Sequence, residues 1–243
     1  MIHETYPIQV EGAQSYARLV TYIQEHSDAI NIQKRKLVLV CPGGSYANTS
    51  DREAEAIALQ FAAMGYHAAV LRYSCAPAKY PTALLELASS MALIRKNAEE
   101  WHVDAEKIVI EGCSAGGHLA ASYCLFWKEK FIAVALGITD VERVLKPNGM
   151  LLGYPVITSG EFAHRGSFVK LLGERQKELN EALSLEKHVS EDVPPTFIWH
   201  TFEDQTVPVE NSLLFVGALR KKIYQQNFTC IPRDVMDWPW QMN

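Results

Sequence analysis

Short apolar runs set between longer stretches of helical pattern most restrict what this chain can fold into. The runs are "LVLVC" (37–41), "HAAVLRYS" (67–74), "KIVIEG" (107–112), "GMLLGYPVI" (149–157) and "TFIWHT" (196–201). A continuous apolar run bounded by turn signals fits a strand buried on both faces, and the segments between are long enough to be the covering helices. The pattern predicts an α/β fold with a mostly parallel central sheet and helices on both faces.

The intervening segments carry their own signals. Ser50 and Glu53 form a capping-box pattern, with Ile57, Phe61 and Met64 on one helical face and Gly65 as the stop. Pro81 opens a second helix with Leu84, Leu87, Met91 and Ile94 as its buried stripe, and Leu119, Tyr123 and Trp127 mark a third. "FIAVALG" (131–137) fits a strand or a helix, and "ERQKELNEALSLEKH" (174–188) is polar and helix-prone. Residues 1 to about 35 are expected to supply antiparallel edge strands, one within "ARLVTYIQE". No repeat or linker divides residues 1–243, which are expected to form one domain, with 158–192 shaping its pocket and 223–243 atypical.

Composition narrows the class of partner. A net charge of -5 and no basic run longer than "QKRK" (33–36), read as a solvated lead-in to a strand, argue against nucleic acid. No window approaches the ~18 apolar residues of a membrane span, and the first residues lack an apolar signal region, so the expectation is a cytoplasmic protein without a membrane partner. The five cysteines form no C-x-x-C pair and are expected to be buried free thiols.

The chemistry is concentrated after the third run. Gly112-Cys113-Ser114-Ala115-Gly116 is G-x-S-x-G between a predicted strand and a predicted helix, the context of a nucleophile elbow. The glycines make room for a sharp turn that lifts the Ser114 hydroxyl to a helix N-terminus, where the dipole and the Ala115 amide favour developing negative charge. "CPGGSY" (41–46) directly follows the first run, so the amides of Gly44 and Ser45 are candidates to complete an oxyanion hole. The acid expected later in the chain is Asp204, with its neighbour Glu203 as the fallback.

These pieces, from "CPGGSYANTSDREAEAIALQFAAMGYHAAVLRYS" through "GCSAGGHLAAS" and "GYPVI" to "PPTFIWHTFEDQTVPVENS", resemble the α/β-hydrolase fold. The resemblance is to its esterase and lipase branch, related to hormone-sensitive lipase and acetyl xylan esterases. It implies a serine-dependent carboxylic-ester hydrolase acting on short-acyl small esters, including acetylated sugars, with no metal or organic cofactor. Many relatives have H-G-G-G where this chain has Pro42-Gly43-Gly44-Ser45, so the backbone donors survive while the anchoring of the loop differs.

The mechanism also needs a histidine after the acid. All eight histidines (His3, His26, His67, His102, His118, His164, His188, His200) precede Asp204. His118 is expected to pack, and His164 and His200 are the two able to approach the acid. Back-translated with one choice of synonymous codons and read one nucleotide earlier, from the last base of Lys222, residues 223–243 spell "NIPTEFHLYPKGCHGLALANE". That peptide carries a connector, a strand "TEFHLYP" and a G-x-H-G-L loop. The tail is therefore expected to be the product of a frame slip in the A-rich codons of 221–223, leaving the last strand missing or altered and the base absent. A degenerate protein that binds a small ligand or partner without turnover, and an amide or formamide hydrolase, are the alternatives.

Overall fold

The computed structural model describes residues 1–222 and 226–231. Eight strands form one sheet: β1 (Thr5–Pro7), β2 (Arg18–Tyr22), β3 (Arg35–Cys41), β4 (His67–Arg72), β5 (Val103–Cys113), β6 (Gly149–Gly153), β7 (Thr196–Thr201) and β8 (Gln226–Ile231). Their spatial order is β1-β2-β4-β3-β5-β6-β7-β8, with β1/β2 and β2/β4 antiparallel and every later pair parallel. The apolar runs are thus the parallel strands, and "ARLVTYIQE" supplies an antiparallel strand near one edge. At the other edge β8 pairs with β7 from Thr196↔Gln226 to Thr201↔Ile231. Of the two expectations for the last strand, missing or altered, the first does not hold: a strand closes the sheet in this tail, because extended backbone can pair along an open edge whatever its side chains. The loop in which a base was expected, after residue 231, lies outside the described residues.

The helices are α1 (Glu55–Ala63), α2 (Thr82–Lys96), α3 (Ser114–Phe126), α4 (Lys130–Leu136), α5 (Val141–Leu145), α6 (Arg165–Leu172), α7 (Gln176–Leu179) and α8 (Glu210–Lys222). On α2, Leu84, Leu87, Met91 and Ile94 are all buried, as are Leu119, Tyr123 and Trp127 along and just beyond α3. "FIAVALG" is helical and ends at Gly137 in a left-handed conformation (φ 65°).

Other local readings fail. Ser50 makes no side-chain cap bond, the chain takes a 3-10 turn over Asp51–Glu53, and α1 begins only at Glu55. Met64 is 62% exposed because the helix has already ended before it. The 174–188 stretch breaks into short turns around α7 rather than one helix, since Ser184 and Glu186 spend their side chains on Thr158 and Ser159. Four cysteines are buried free thiols, but Cys230 is exposed.

Side-chain alternation along the strands divides the core in two. Leu37, Leu39, Ile108, Ile110, Met150, Leu152 and Ile198 point into the larger cluster under α2, α3 and α8. Val38, Val40, Ala68 and Val70 meet Ala54, Ala58, Ile57 and Phe61 of the α1 side. Further along that second face Phe197 is 38% exposed. No described helix is long and apolar enough to cross a membrane.

Candidate active site

The parallel strands deliver their following loops to one edge of the sheet, where ligands of open α/β sheets bind. The loop after β3 carries Gly44 and Ser45, β5 runs straight into Ser114, Tyr154 follows β6, and Asp204 lies three residues beyond β7.

Ser114 is the residue at which β5 becomes α3, and its φ is +53°, the left-handed region that a side chain enters only at a cost. Two glycines make that turn possible. A Cβ at Gly112 would lie 2.3 Å from the Gly116 carbonyl oxygen, and one at Gly116 would lie 1.9 Å from the Cys41 oxygen. From Ile110 to Cys124 every residue is buried except Ser114. The chain therefore exposes one hydroxyl within a fully packed segment.

The loop after β3 lies against that serine: a Cβ on Gly43 would come 2.9 Å from Ser114 Cβ. Gly43 and Tyr46 are buried, while Gly44 and Ser45 between them are partly exposed. Gly44 (φ 126°), Ser45 (φ 57°) and Tyr46 (φ 57°) all have positive φ, so the loop is held by its contacts rather than by its own preference. The Tyr73 hydroxyl donates to the Pro42 oxygen at 2.6 Å, the Gly43 amide donates to Glu53 Oε2 at 2.7 Å, and the Tyr46 hydroxyl meets His118 Nδ1 at 2.9 Å. The amides of Gly44, Ser45 and Ala115 take part in none of the turn, loop or cap bonds of this region.

Asp204 is buried and Glu203 beside it is exposed. Asp204 Oδ1 accepts from the amides of Thr206 and Val207 at 2.8 and 2.9 Å. Its Oδ2 is buried without a hydrogen-bond partner among the described residues, with His200 Nε2 3.5 Å away. Burial works against the Asp204 charge, but His200 and the two amides outweigh it and hold the carboxyl below its ordinary value.

None of the three histidines singled out from the sequence is set up as a base. His200 is buried with Nδ1 bonded to Ser212 Oγ (2.7 Å) and Nε2 to the Val207 oxygen (2.9 Å), so both nitrogens are engaged. His118 packs as expected, its Nε2 bonding the Leu183 oxygen at 3.1 Å, and burial lowers its pKa to about 4. His164 bonds Ser167 through Nδ1 at 2.9 Å; burial lowers its pKa against the pull of the nearby Asp204 charge.

Four residues to which the sequence assigned no part in the site also shape it. Asn211 of α8 accepts from the amides of Ile157 and Thr158 and donates to the oxygens of Phe162 and Pro208, pinning the segment after β6. Glu53, read as a capping residue, instead joins Gly43 to the Tyr154 hydroxyl, 2.7 Å from Oε1. Glu111, just before the elbow, is buried with Oε1 accepting from Cys113 Sγ (3.2 Å) and Oε2 unpartnered among the described residues. All four, the fourth being Tyr154, lie in segments the sequence had marked, but none was given a part in the site there.

Desolvation raises the Glu111 pKa to about 8. Because the folded state favours the protonated acid, its stability falls as pH rises from the ordinary value of 4.5 toward 8. The loss is on the order of 4 kcal/mol by pH 8, at ~1.4 kcal/mol per unit. Glu111→Gln removes that slope. Urea unfolding at pH 5 and pH 8 is expected to show the parent losing several kcal/mol relative to the variant; parallel curves would place the Glu111 charge in a solvated setting.

Among known proteins, the BD-FAE family profile matches residues 26–219. The chain is 38% identical over 206 residues to endo-1,4-beta-xylanase B of Butyrivibrio fibrisolvens, covering 81% of this chain and 31% of that protein. It is 25% identical over 213 residues to an acetylxylan esterase of Xylanibacter ruminicola, covering 84% of this chain and 40% of the relative. It thus spans about a third to just over half the length of the curated relatives it matches, 31% to 55%. In three dimensions it is similar to the acetyl ester-xyloside bifunctional hydrolase of Caldicellulosiruptor lactoaceticus, with a TM-score of 0.79 and 36% identity over 90% of this chain and 78% of that one.

Proposed function

Because the chain belongs to the BD-FAE family of α/β-hydrolase esterases, we propose that its site is that of a serine-dependent carboxylic-ester hydrolase for short acyl groups. The observation that carries this is the single partly exposed hydroxyl of Ser114, held at φ +53° on a strand-to-helix turn inside a buried segment. Ser114 Oγ attacks the ester carbonyl, and the negative charge that develops on its oxygen is received by the amides of Gly44, Ser45 and Ala115. The serine proton passes to a histidine base and then to the departing alcohol; water reverses these steps to release the acid. Asp204 orients that base through Oδ2, the oxygen with no hydrogen-bond partner among the described residues.

Acetylated sugars are the proposed substrate class, on the strength of the acetylxylan esterase and the acetyl ester-xyloside hydrolase among the relatives. The base is the part proposed to be missing here: within the 243 residues no histidine follows Asp204, and both nitrogens of His200 are engaged. The proposed cause is the frame slip near Lys222, and the family match stops at residue 219, ahead of it.

The test uses the chain carrying "NIPTEFHLYPKGCHGLALANE" in place of residues 223–243. With p-nitrophenyl acetate it is expected to release a burst of p-nitrophenol stoichiometric with enzyme, abolished by Ser114→Ala. A burst that survives Ser114→Ala would sink the reading. The engaged His200 favours a second reading, a binding protein without turnover. That protein would bind small esters with the tail as printed and gain no Ser114-dependent hydrolysis from the replacement.

A further inference from the structure

We propose that Glu53, oriented by Tyr154, is a positioning residue that sets the direction of the Gly44 and Ser45 amides. The inference rests on the reading of those amides as oxyanion donors. A carboxylate with two oxygens is here shared between two loops: Oε2 takes the Gly43 amide and Oε1 takes the Tyr154 hydroxyl, both at 2.7 Å. Glu53 thereby couples the loop after β3 to the loop after β6 across the strand that bears Ser114.

The fit around Gly43 is tight enough for this link to matter. A Cβ there would lie 2.5 Å from Glu53 Oε2, 2.9 Å from the Cys113 oxygen and 2.9 Å from Ser114 Cβ, so the peptide sits between the carboxylate and the elbow with no slack. The next three residues all have positive φ, and Gly44 is further crowded by Asn48. Such a loop relaxes when an anchor is removed. Its far end is held by Tyr46 on His118, and Pro42 by Tyr73; Glu53 is the anchor adjacent to the partly exposed Gly44 and Ser45.

Tyr154 is built to hold the carboxylate in place. Its own φ is +34°, its amide donates to the Trp199 oxygen at 2.8 Å, and its ring meets Trp199 edge-on at 5.0 Å between centroids. The ring is thus fixed by β7, and the hydroxyl is left to aim Glu53. Pro42 stands where many relatives of the resembled branch carry histidine, and the Glu53–Gly43 bond supplies this loop with an anchor of its own.

The first arm of the test needs no catalysis and uses the 243-residue chain as it is, labelled with nitrogen-15. The Gly43 amide proton is expected at low field and protected from exchange. Tyr154→Phe keeps the ring and is expected to move the Gly44 and Ser45 cross-peaks while those of α8 stay in place. Glu53→Ala moves them further and exposes Gly43 to exchange, and Glu53→Gln, which keeps an acceptor oxygen, restores most of the parent pattern. Unchanged Gly44 and Ser45 peaks in Tyr154→Phe and Glu53→Ala would overturn the proposal.

The second arm is kinetic, in the chain with the replaced tail. Glu53→Ala is expected to lower kcat about tenfold to a hundredfold, less than outright loss of a donor, with KM within about twofold. Glu53→Gln recovers most of the rate. A rise in KM at constant kcat would count against positioning. If the replaced-tail parent shows no Ser114-dependent turnover, the hydrolase reading falls while the resonance shifts alone decide whether Glu53 sets the loop.

Discussion

Replacing residues 223–243 with "NIPTEFHLYPKGCHGLALANE" is expected to raise kcat toward p-nitrophenyl acetate by about a million-fold over the chain as printed. Removing the base or the nucleophile of a triad costs about that much, because neither acts alone. The rest of the proposed machinery is assembled before the tail begins. Ser114 is partly exposed, Gly43 packs against it, and Asp204 keeps a buried oxygen with no hydrogen-bond partner among the described residues. A buried carboxylate oxygen without a hydrogen bond costs stability unless a donor meets it, and an imidazole N–H is such a donor.

The geometry of the edge strand agrees with the replacement. In the alternative peptide the segment "TEFHLY" falls on the positions of β8, 226–231. The third residue of that segment is phenylalanine at position 228, matching Phe228, which packs against the core from that strand. The substituted tail can therefore take the same place beside β7. Sequencing the gene across Lys222 and measuring single-turnover rates check the idea together. An in-frame gene, with no gain in rate from the replacement, would refute it.

Gly116→Ala should unfold or nearly unfold the protein. One added methyl would sit 1.9 Å from the Cys41 oxygen and 2.5 Å from the Pro42 oxygen, both backbone atoms. They cannot retreat cheaply: Pro42 is bonded to Tyr73 and Gly43 to Glu53. Either β3 shifts and loses register with its neighbours, or α3 pivots and the elbow opens. A loss of at least ~4 kcal/mol is expected, the range of severe core clashes, against a total stability of about 5–15 kcal/mol. Gly217→Ala is the control, since nothing lies within 4 Å of its added Cβ in α8. There helix propensity alone acts, and a gain of up to ~1 kcal/mol is expected. Urea unfolding of both variants decides; a Gly116→Ala loss under about 1 kcal/mol would show that the elbow is not packed as described.

Much of the site was legible because its signals are local. Gly112, Ser114 and Gly116 fall within five residues, and the steric demand of a strand turning into a helix is expressed there by residue type alone. Glu53 shows the opposite case. Its spacing from Ser50 matches a capping box, yet its partners are Gly43, ten residues away, and Tyr154, 101 residues away. Glu111 looked like one polar residue ending a strand, and only burial beneath the elbow makes it an acid with a pKa of about 8. The tail misled in the same way. Read as a slipped frame, it was expected to leave the last strand missing or altered, but β7 offers an open edge with which 226–231 pair.

Apolar runs and glycine spacing by themselves determined the layered sheet, the turn at Ser114 and the set of candidate donors and acids, because burial period and backbone sterics act over a few consecutive residues. Tertiary structure alone decided which carboxylate holds the loop after β3, that both His200 nitrogens are occupied, and that Asp204 rather than Glu203 is buried. Those outcomes depend on which distant segments the sheet order brings within hydrogen-bond reach, a distance of about 3 Å that no spacing along the chain encodes.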